Sequence, residues 1–157
     1  MENATLKTPL GIATIQGNLQ GISTISISDT SEILSKEIPS SLQECVVQLQ
    51  EYFMGKRTHF DVPLNPQGTE FQKQVWQELV KIPFGKTISY LELSKKLGNI
   101  KAIRAVAAAN GKNPLWIIIP CHRVIGSDGS LTGYAGGLWR KKWLLNHENP
   151  SPQVSLF

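Results

Sequence analysis

The chain has 157 residues, 41% of them hydrophobic, enough for one compact domain or two small lobes sharing a core. No run of about 18 apolar residues occurs, so no transmembrane helix and no membrane partner are expected. The opening MENATLKTPL lacks the basic start and apolar stretch of a signal peptide, so a cytoplasmic location is expected. The net charge of +4 is split unevenly: residues 1–63 carry 4 Lys/Arg against 7 Asp/Glu, and residues 64–157 carry 12 against 5. Such a split fits either a polyanion partner for the C-terminal part or a solvated basic face.

Two strands are predicted over residues 9–27, "LGIATIQ" and "LQGISTISI", rich in Ile and Thr and joined at Gly17-Asn18. Residues 39–54 predict a helix, with Leu42, Cys45, Val46, Leu49 and Phe53 at helical spacing, which makes Cys45 core. "HFDVPLNPQG" marks a lobe boundary. Thr69-x-x-Gln72 is a capping-box pattern that opens a helix to about Lys81. Ser89-x-x-Glu92 is a second one, with the helix ending at Gly98. A short turn then leads into "KAIRAVAAAN", so the pair predicts a helix-turn-helix. "LWIII" predicts a buried strand, "GSDGSLTGYAGG" a Gly-rich loop, "LWRKKWLLNHE" an amphipathic helix and residues 150–157 a flexible tail.

Only two cysteines occur, too few for a secreted disulfide scaffold, and no Cys-x-x-Cys or His-x-x-x-His pair suggests a structural zinc site. No metal or cofactor is expected. Cys121 stands in "IIIPCHRVIG", followed directly by His122 and Arg123. A thiol attacks as a thiolate, so a nucleophilic cysteine needs a base or positive charge nearby. Adjacent strand residues face opposite sides, so a Cys-His partnership requires the backbone to turn here, as Pro120 allows. Composition alone favours core filler for Cys121, since a cysteine that ends a buried apolar run is more often packing than nucleophile.

The stretch "NPLWIIIPCHRVIGSDGSLTGYAGG" followed by "KKWLLNHE" resembles the O6-alkylguanine-DNA alkyltransferases, the methylated-DNA–protein-cysteine methyltransferases. The similarity extends back through "FQKQVWQELVKIPFGKTISYLELSKKLG" and "AIRAVAAANGKNP" and covers residues 69–149 closely. It implies an α/β (α+β) chain: a small N-terminal ribonuclease-H-like antiparallel sheet with a helix, over 1–63, and a C-terminal winged-helix-like helix-turn-helix domain, over 64–149. The implied activity is direct-reversal DNA repair: single-turnover transfer of a methyl or alkyl group from O6 of guanine to Cys121, with O4 of thymine left open as a second source.

The resemblance also implies residue roles. His122 is the base, acting through a water; Glu148 orients it; Asn113 joins the network; Tyr90 donates toward the leaving guanine. Carbonyls near Cys121 and Val124 read the exocyclic amine, and Tyr134 and Ala135 wall the pocket. Some relatives have a serine where Ala135 stands, so one donor is missing here. Arg104 fills the space left by a base flipped from double-stranded DNA, which is bound at its minor groove, and Asn99, Ala102 and Ser127 belong to the DNA-contacting surface. A monomer is expected. Separately, "QVSLF" resembles a peptide that docks on the bacterial replication sliding clamp through Gln153, Leu156 and Phe157. Two other functions fit less of the pattern: a sensor that binds alkylated DNA without reacting, and a cysteine hydrolase that regenerates its thiol.

Overall fold

The computed structural model describes residues 1–29 and 34–150. These form two compact units: Met1–Thr69 with Pro114–Ile118, and Glu70–Asn113 with the chain from Ile119 onward.

In the first unit, β1 (Glu2–Thr8), β2 (Gly11–Asn18) and β3 (Gly21–Ser28) make an antiparallel meander, with Ile15 opposite both Ala4 and Ile25. Alternate residues Ala4, Leu6, Ala13, Ile15, Ile25 and Ile27 are buried, as the two-residue period of a half-buried sheet dictates. Helix α1 (Ser40–Phe53) packs on the sheet and buries Leu42, Cys45, Val46, Leu49 and Tyr52. Cys45 is plain core, and burial pushes its thiol up to about 12.

Two expectations for the sheet need correction. The sheet has a third strand, β1, which sequence patterning missed because "ENATLKT" offers only two apolar residues, Ala4 and Leu6, to its buried face. The turn falls at Leu19–Gln20 rather than Gly17-Asn18. Asn18 Oδ1 accepts from the Gln20 N–H at 2.8 Å and so directs the turn, while a β-carbon on Gly17 would stand 2.7 Å from the Gly21 carbonyl oxygen.

"LWIII" is buried as expected apart from the half-buried Trp116, but it is not a strand. Leu115 alone bridges to Ile25, the Ile118 N–H turns back to the Trp116 carbonyl at 2.8 Å, and Ile117 adopts φ 73°. An apolar run reports burial, not backbone geometry, and here only one residue finds a ladder partner.

In the second unit, α2 (Glu70–Val80) packs against α4 (Ile103–Gly111), and Trp76 Nε1 donates to the Ala109 carbonyl at 2.9 Å. A short parallel pair joins β4 (Ile88–Ser89) to β5 (Val124–Ile125). Helix α3 (Tyr90–Lys96) starts at the expected capping box: Ser89 Oγ accepts from the Glu92 N–H and Glu92 Oε1 accepts from the Ser89 N–H. Gly98, at φ 81°, ends the turn after α3, and a 3₁₀ turn at Ile100–Ala102 leads into α4. Helix α5 (Leu138–Glu148) matches the expected final helix.

Candidate functional site

Pro120 leads into a 3₁₀ turn, Cys121–Arg123, so the chain bends where the Cys-His pair required it. All three side chains are buried. His122 is fully enclosed, and its Nε2 lies 2.7 Å from Glu148 Oε2. The same carboxylate accepts from Arg123 Nε at 2.7 Å and Nη2 at 3.0 Å, a bidentate pair, while Arg123 Nη1 donates to the Ile82 carbonyl at 2.6 Å. Burial alone would raise the Glu148 carboxyl, but the hydrogen bonds from His122 and Arg123 hold it well below the usual carboxylate range. An ionised Glu148 can only accept, so the proton of neutral His122 sits on Nε2 and Nδ1 is left as a bare acceptor. Nδ1 is buried with no partner among the described residues. Burial is the chief cause that lowers the His122 pKa, with the charges of Arg123 and Lys141 adding to it.

Burial pushes the Cys121 thiol up to about 11, opposed by a hydrogen bond from Asn113 and by the charge of Lys141. Asn113 also donates to the Ile119 carbonyl at 2.7 Å, which ties it to the turn before Cys121. Tyr90, the first residue of α3, donates its hydroxyl to the Thr132 carbonyl at 3.0 Å. Tyr90, Arg104, Tyr134 and Ala135 line one surface cleft of about 630 Å³, together with Ile103, Ala107 and neighbouring loop residues. Burial raises the pKa of both Tyr90 and Tyr134, and the charge of Cys121 raises each further.

The structure therefore brings together Cys121, His122, Glu148, Asn113, Tyr90 and Tyr134. The Val124 carbonyl is close by, but it already accepts from Lys141 Nζ at 2.7 Å. Arg104 is exposed on α4, and Asn99 is exposed at the start of the preceding 3₁₀ turn, its Oδ1 accepting from the Lys101 N–H. Ala102 is half-buried in that turn. Ser127 is exposed in the Gly126–Ser130 turn. Gln153, Leu156 and Phe157 lie outside the described residues.

Two participants escaped the sequence reading, Asn110 and Lys141, and Arg123, singled out there only as a charge next to Cys121, proves to be the ion-pair partner of Glu148. Lys141 is fully enclosed and donates to both the Val124 and Thr132 carbonyls, at 2.7 and 2.9 Å. Burial lowers its pKa, and Cys121 is the group whose charge raises it. Helical spacing could have found it: Lys141, Leu144 and Glu148 fall at i, i+3 and i+7 on one face of α5.

The site is thus a buried thiol next in the chain to a carboxylate-locked imidazole, in the unit whose cleft is lined by Tyr90, Arg104 and Tyr134. A thiol next in the chain to an imidazole held by a carboxylate is the equipment of proteins with a cysteine nucleophile. Two family models match the chain: "6-O-methylguanine DNA methyltransferase, ribonuclease-like domain" over residues 1–66 and "6-O-methylguanine DNA methyltransferase, DNA binding domain" over residues 70–150. A methylated-DNA–protein-cysteine methyltransferase of Methanosarcina acetivorans is 44% identical over 155 residues, covering 94% of this chain and 98% of the relative. Its namesake in Mycolicibacterium paratuberculosis is 42% identical over 160 residues, covering 99% and 97%. The crystal structure of Mycobacterium tuberculosis OGT in complex with DNA superposes with a TM-score of 0.85 at 38% identity and covers 100% of both chains. The chain belongs to the 6-O-methylguanine-DNA methyltransferase family.

Proposed function

We propose that this protein is a methylated-DNA–protein-cysteine methyltransferase that repairs DNA by direct reversal. The observation that carries this reading is the His122–Glu148 pair, locked at 2.7 Å and leaving a bare Nδ1 next in the chain to a buried free thiol. His122 Nδ1 draws the thiol proton, through a water. The Cys121 sulfur attacks the alkyl carbon on O6 of guanine, an S–C bond forms and the C–O bond breaks. The electron pair leaves with the guanine, which takes a proton from the Tyr90 hydroxyl. Glu148 is a positioning residue that holds the imidazole in the productive tautomer, the logic of a hydrolase triad applied to a saturated carbon. The thioether is not hydrolysed, so each molecule acts once.

A thiol pushed up to about 11 is scarcely ionised at neutral pH, so a base at hand accounts for reactivity. The base must leave the stack to reach Cys121. The α3–α4 pair serves as the helix-turn-helix, entering the minor groove with Arg104 in the vacated space and Ala102 keeping the approach slim. Asn99 and Ser127 meet the backbone, which supplies affinity without sequence choice. Val124, Tyr134 and Ala135 form the base pocket. Residues 1–63 act as a supporting lobe and 64–149 as the reactive one, in a cytoplasmic monomer. Gln153, Leu156 and Phe157 in the tail dock on a replication sliding clamp.

The test is label transfer from a duplex carrying O6-methyl-labelled guanine. Wild type and Cys45→Ser are expected to become labelled, and Cys121→Ser is not. Labelling of Cys121→Ser would overturn the assignment of the nucleophile. Release of a small labelled product with repeated turnover would point instead to a hydrolase. For the tail, equal clamp binding by the full chain and by a chain ending at Ser151 would remove the docking proposal.

A further inference from the structure

Thr132, Gly133, Tyr134 and Ala135 stand together in the lining of the cleft that Tyr90 and Arg104 also line. This stretch has little shape of its own. Gly133 and Gly137 adopt φ 59° and 92°, with Gly136 between Ala135 and Gly137, so the backbone here is free to turn in many ways. Bonds at its two ends hold it. The Thr132 carbonyl accepts from the Tyr90 hydroxyl at 3.0 Å and from Lys141 Nζ at 2.9 Å. At the other end the Gly136 carbonyl accepts from Arg140 Nη1 at 2.8 Å. The Tyr134 carbonyl accepts from the Gly137 N–H at 2.9 Å, which closes a turn around Ala135 and Gly136.

Arg140 is only 6% exposed, and an arginine is rarely buried unless its charge and donors are used. Its guanidinium lies over the Trp139 ring, 4.6 Å from the centroid. Stacking on a flat face leaves the edge of the guanidinium to donate, and it fixes the direction in which Nη1 points. Burial raises the Tyr134 hydroxyl well above its ordinary value, and the charge of Arg140 opposes that rise. Arg140 itself does not line the cleft, so it acts through the loop. We propose that Arg140 is a positioning residue for the transfer: it fixes the Gly136 end of the loop and so holds Tyr134 and Ala135 in place as the wall against which the reacting base rests. This rests on the alkyl-transfer reading above. A loop held at Thr132 alone is free to swing about Gly133, and a base resting on a displaced wall meets the sulfur out of line. Misplacement by about 1 Å costs up to about 10²-fold in rate, and the loss of one bond among several predicts a smaller fall.

The experiment is single-turnover transfer at saturating duplex carrying O6-methylguanine, for wild type, Arg140→Met and Arg140→Lys. The amplitude counts folded molecules, and the rate constant reads the geometry inside them. A residue that served folding alone would lower the first and leave the second. Losing one hydrogen bond predicts a rate constant about tenfold lower in Arg140→Met. Lysine keeps the charge and a donor, so Arg140→Lys should recover to within about threefold of wild type. Alkylation of Cys121 by iodoacetamide, which needs no wall, should change by less than about twofold in either variant. Arg140→Gln, whose amide stops short of where Nη1 donates, takes the place of the methionine variant if that one does not fold. A wild-type rate constant without the guanidinium, a lysine variant no faster than the uncharged one, or a fall in thiol alkylation as large as the fall in transfer overturns the assignment alone. A wild-type protein that transfers no methyl group overturns the alkyl-transfer reading and this assignment with it.

Discussion

Glu148→Gln removes one charge and keeps the shape of the side chain. In the native protein this carboxylate accepts three hydrogen bonds, one from His122 and two from Arg123, with its side chain only 1% exposed. A glutamine oxygen can satisfy some of these donors, but its NH₂ must then face the others. Arg123 would keep its bond to the Ile82 carbonyl and lose its counter-ion inside the protein. Breaking a buried ion pair by removing one partner costs about 3–5 kcal/mol, and the retained acceptor puts glutamine near the lower end, at about 3 kcal/mol. For a chain of this size that is a fall of roughly 6–12 °C in Tm. The same change frees His122 to adopt the wrong tautomer, so transfer should slow by about 10²-fold or more. Thermal unfolding by circular dichroism and single-turnover transfer read the two effects separately. Glu78→Gln is the control: its partner Lys81 is largely exposed at 3.2 Å, so the change should stay within about 0.5 kcal/mol. If Glu148→Gln were as mild as Glu78→Gln in stability and within about threefold of wild type in rate, the reasoning that makes the carboxylate an anchor would be refuted.

Other outcomes follow from the same geometry. Stability should fall with acid in two stages. The folded state lowers the His122 pKa, so below about pH 6.5 the unfolded chain binds a proton that the folded one refuses. Glu148 is also lowered, so its contribution is present above its ordinary value of 4.5 and is lost as the pH falls below it. Chemical denaturation across pH 3–8, about the span of these two groups, checks both stages, and His122→Gln should lack the upper one. Lys141→Met should raise the Cys121 thiol further above about 11 and slow its alkylation by iodoacetamide at pH 9, about two units below the thiol's own value. Arg104→Ala should weaken binding to duplex DNA without destabilising the fold, since the residue is exposed; if Arg104 meets a phosphate rather than the vacated stack, the salt slope falls by about 0.9. Ser89→Ala should cost about 1 kcal/mol by removing the capping box of α3.

Much of the site was legible because its reactive core is contiguous. Cys121, His122 and the turn implied by Pro120 stand side by side, and the capping box at Ser89 announces the helix that presents Tyr90. What was hidden depends on exceptions to composition rules. Lysine, arginine and asparagine are usually exposed, so nothing in the local sequence marks Arg123, Lys141 or Asn110 as buried; each is held by a partner 11 to 41 residues away. The segment "LWIII" misled for the opposite reason. Its hydrophobicity reported burial correctly, while the φ of Ile117 and the single bridge at Leu115 are set by tertiary contacts. Strand β1 was invisible because two small or isolated apolar residues carry no clear alternation.

The most direct measurement is the intact mass of the protein after incubation with excess duplex containing O6-methylguanine, followed by peptide mapping. The account predicts one methyl group per molecule, located on Cys121, with the reaction stopping at one equivalent of repaired DNA. Binding to the lesion with no change in mass, or a modified residue other than Cys121, would contradict it.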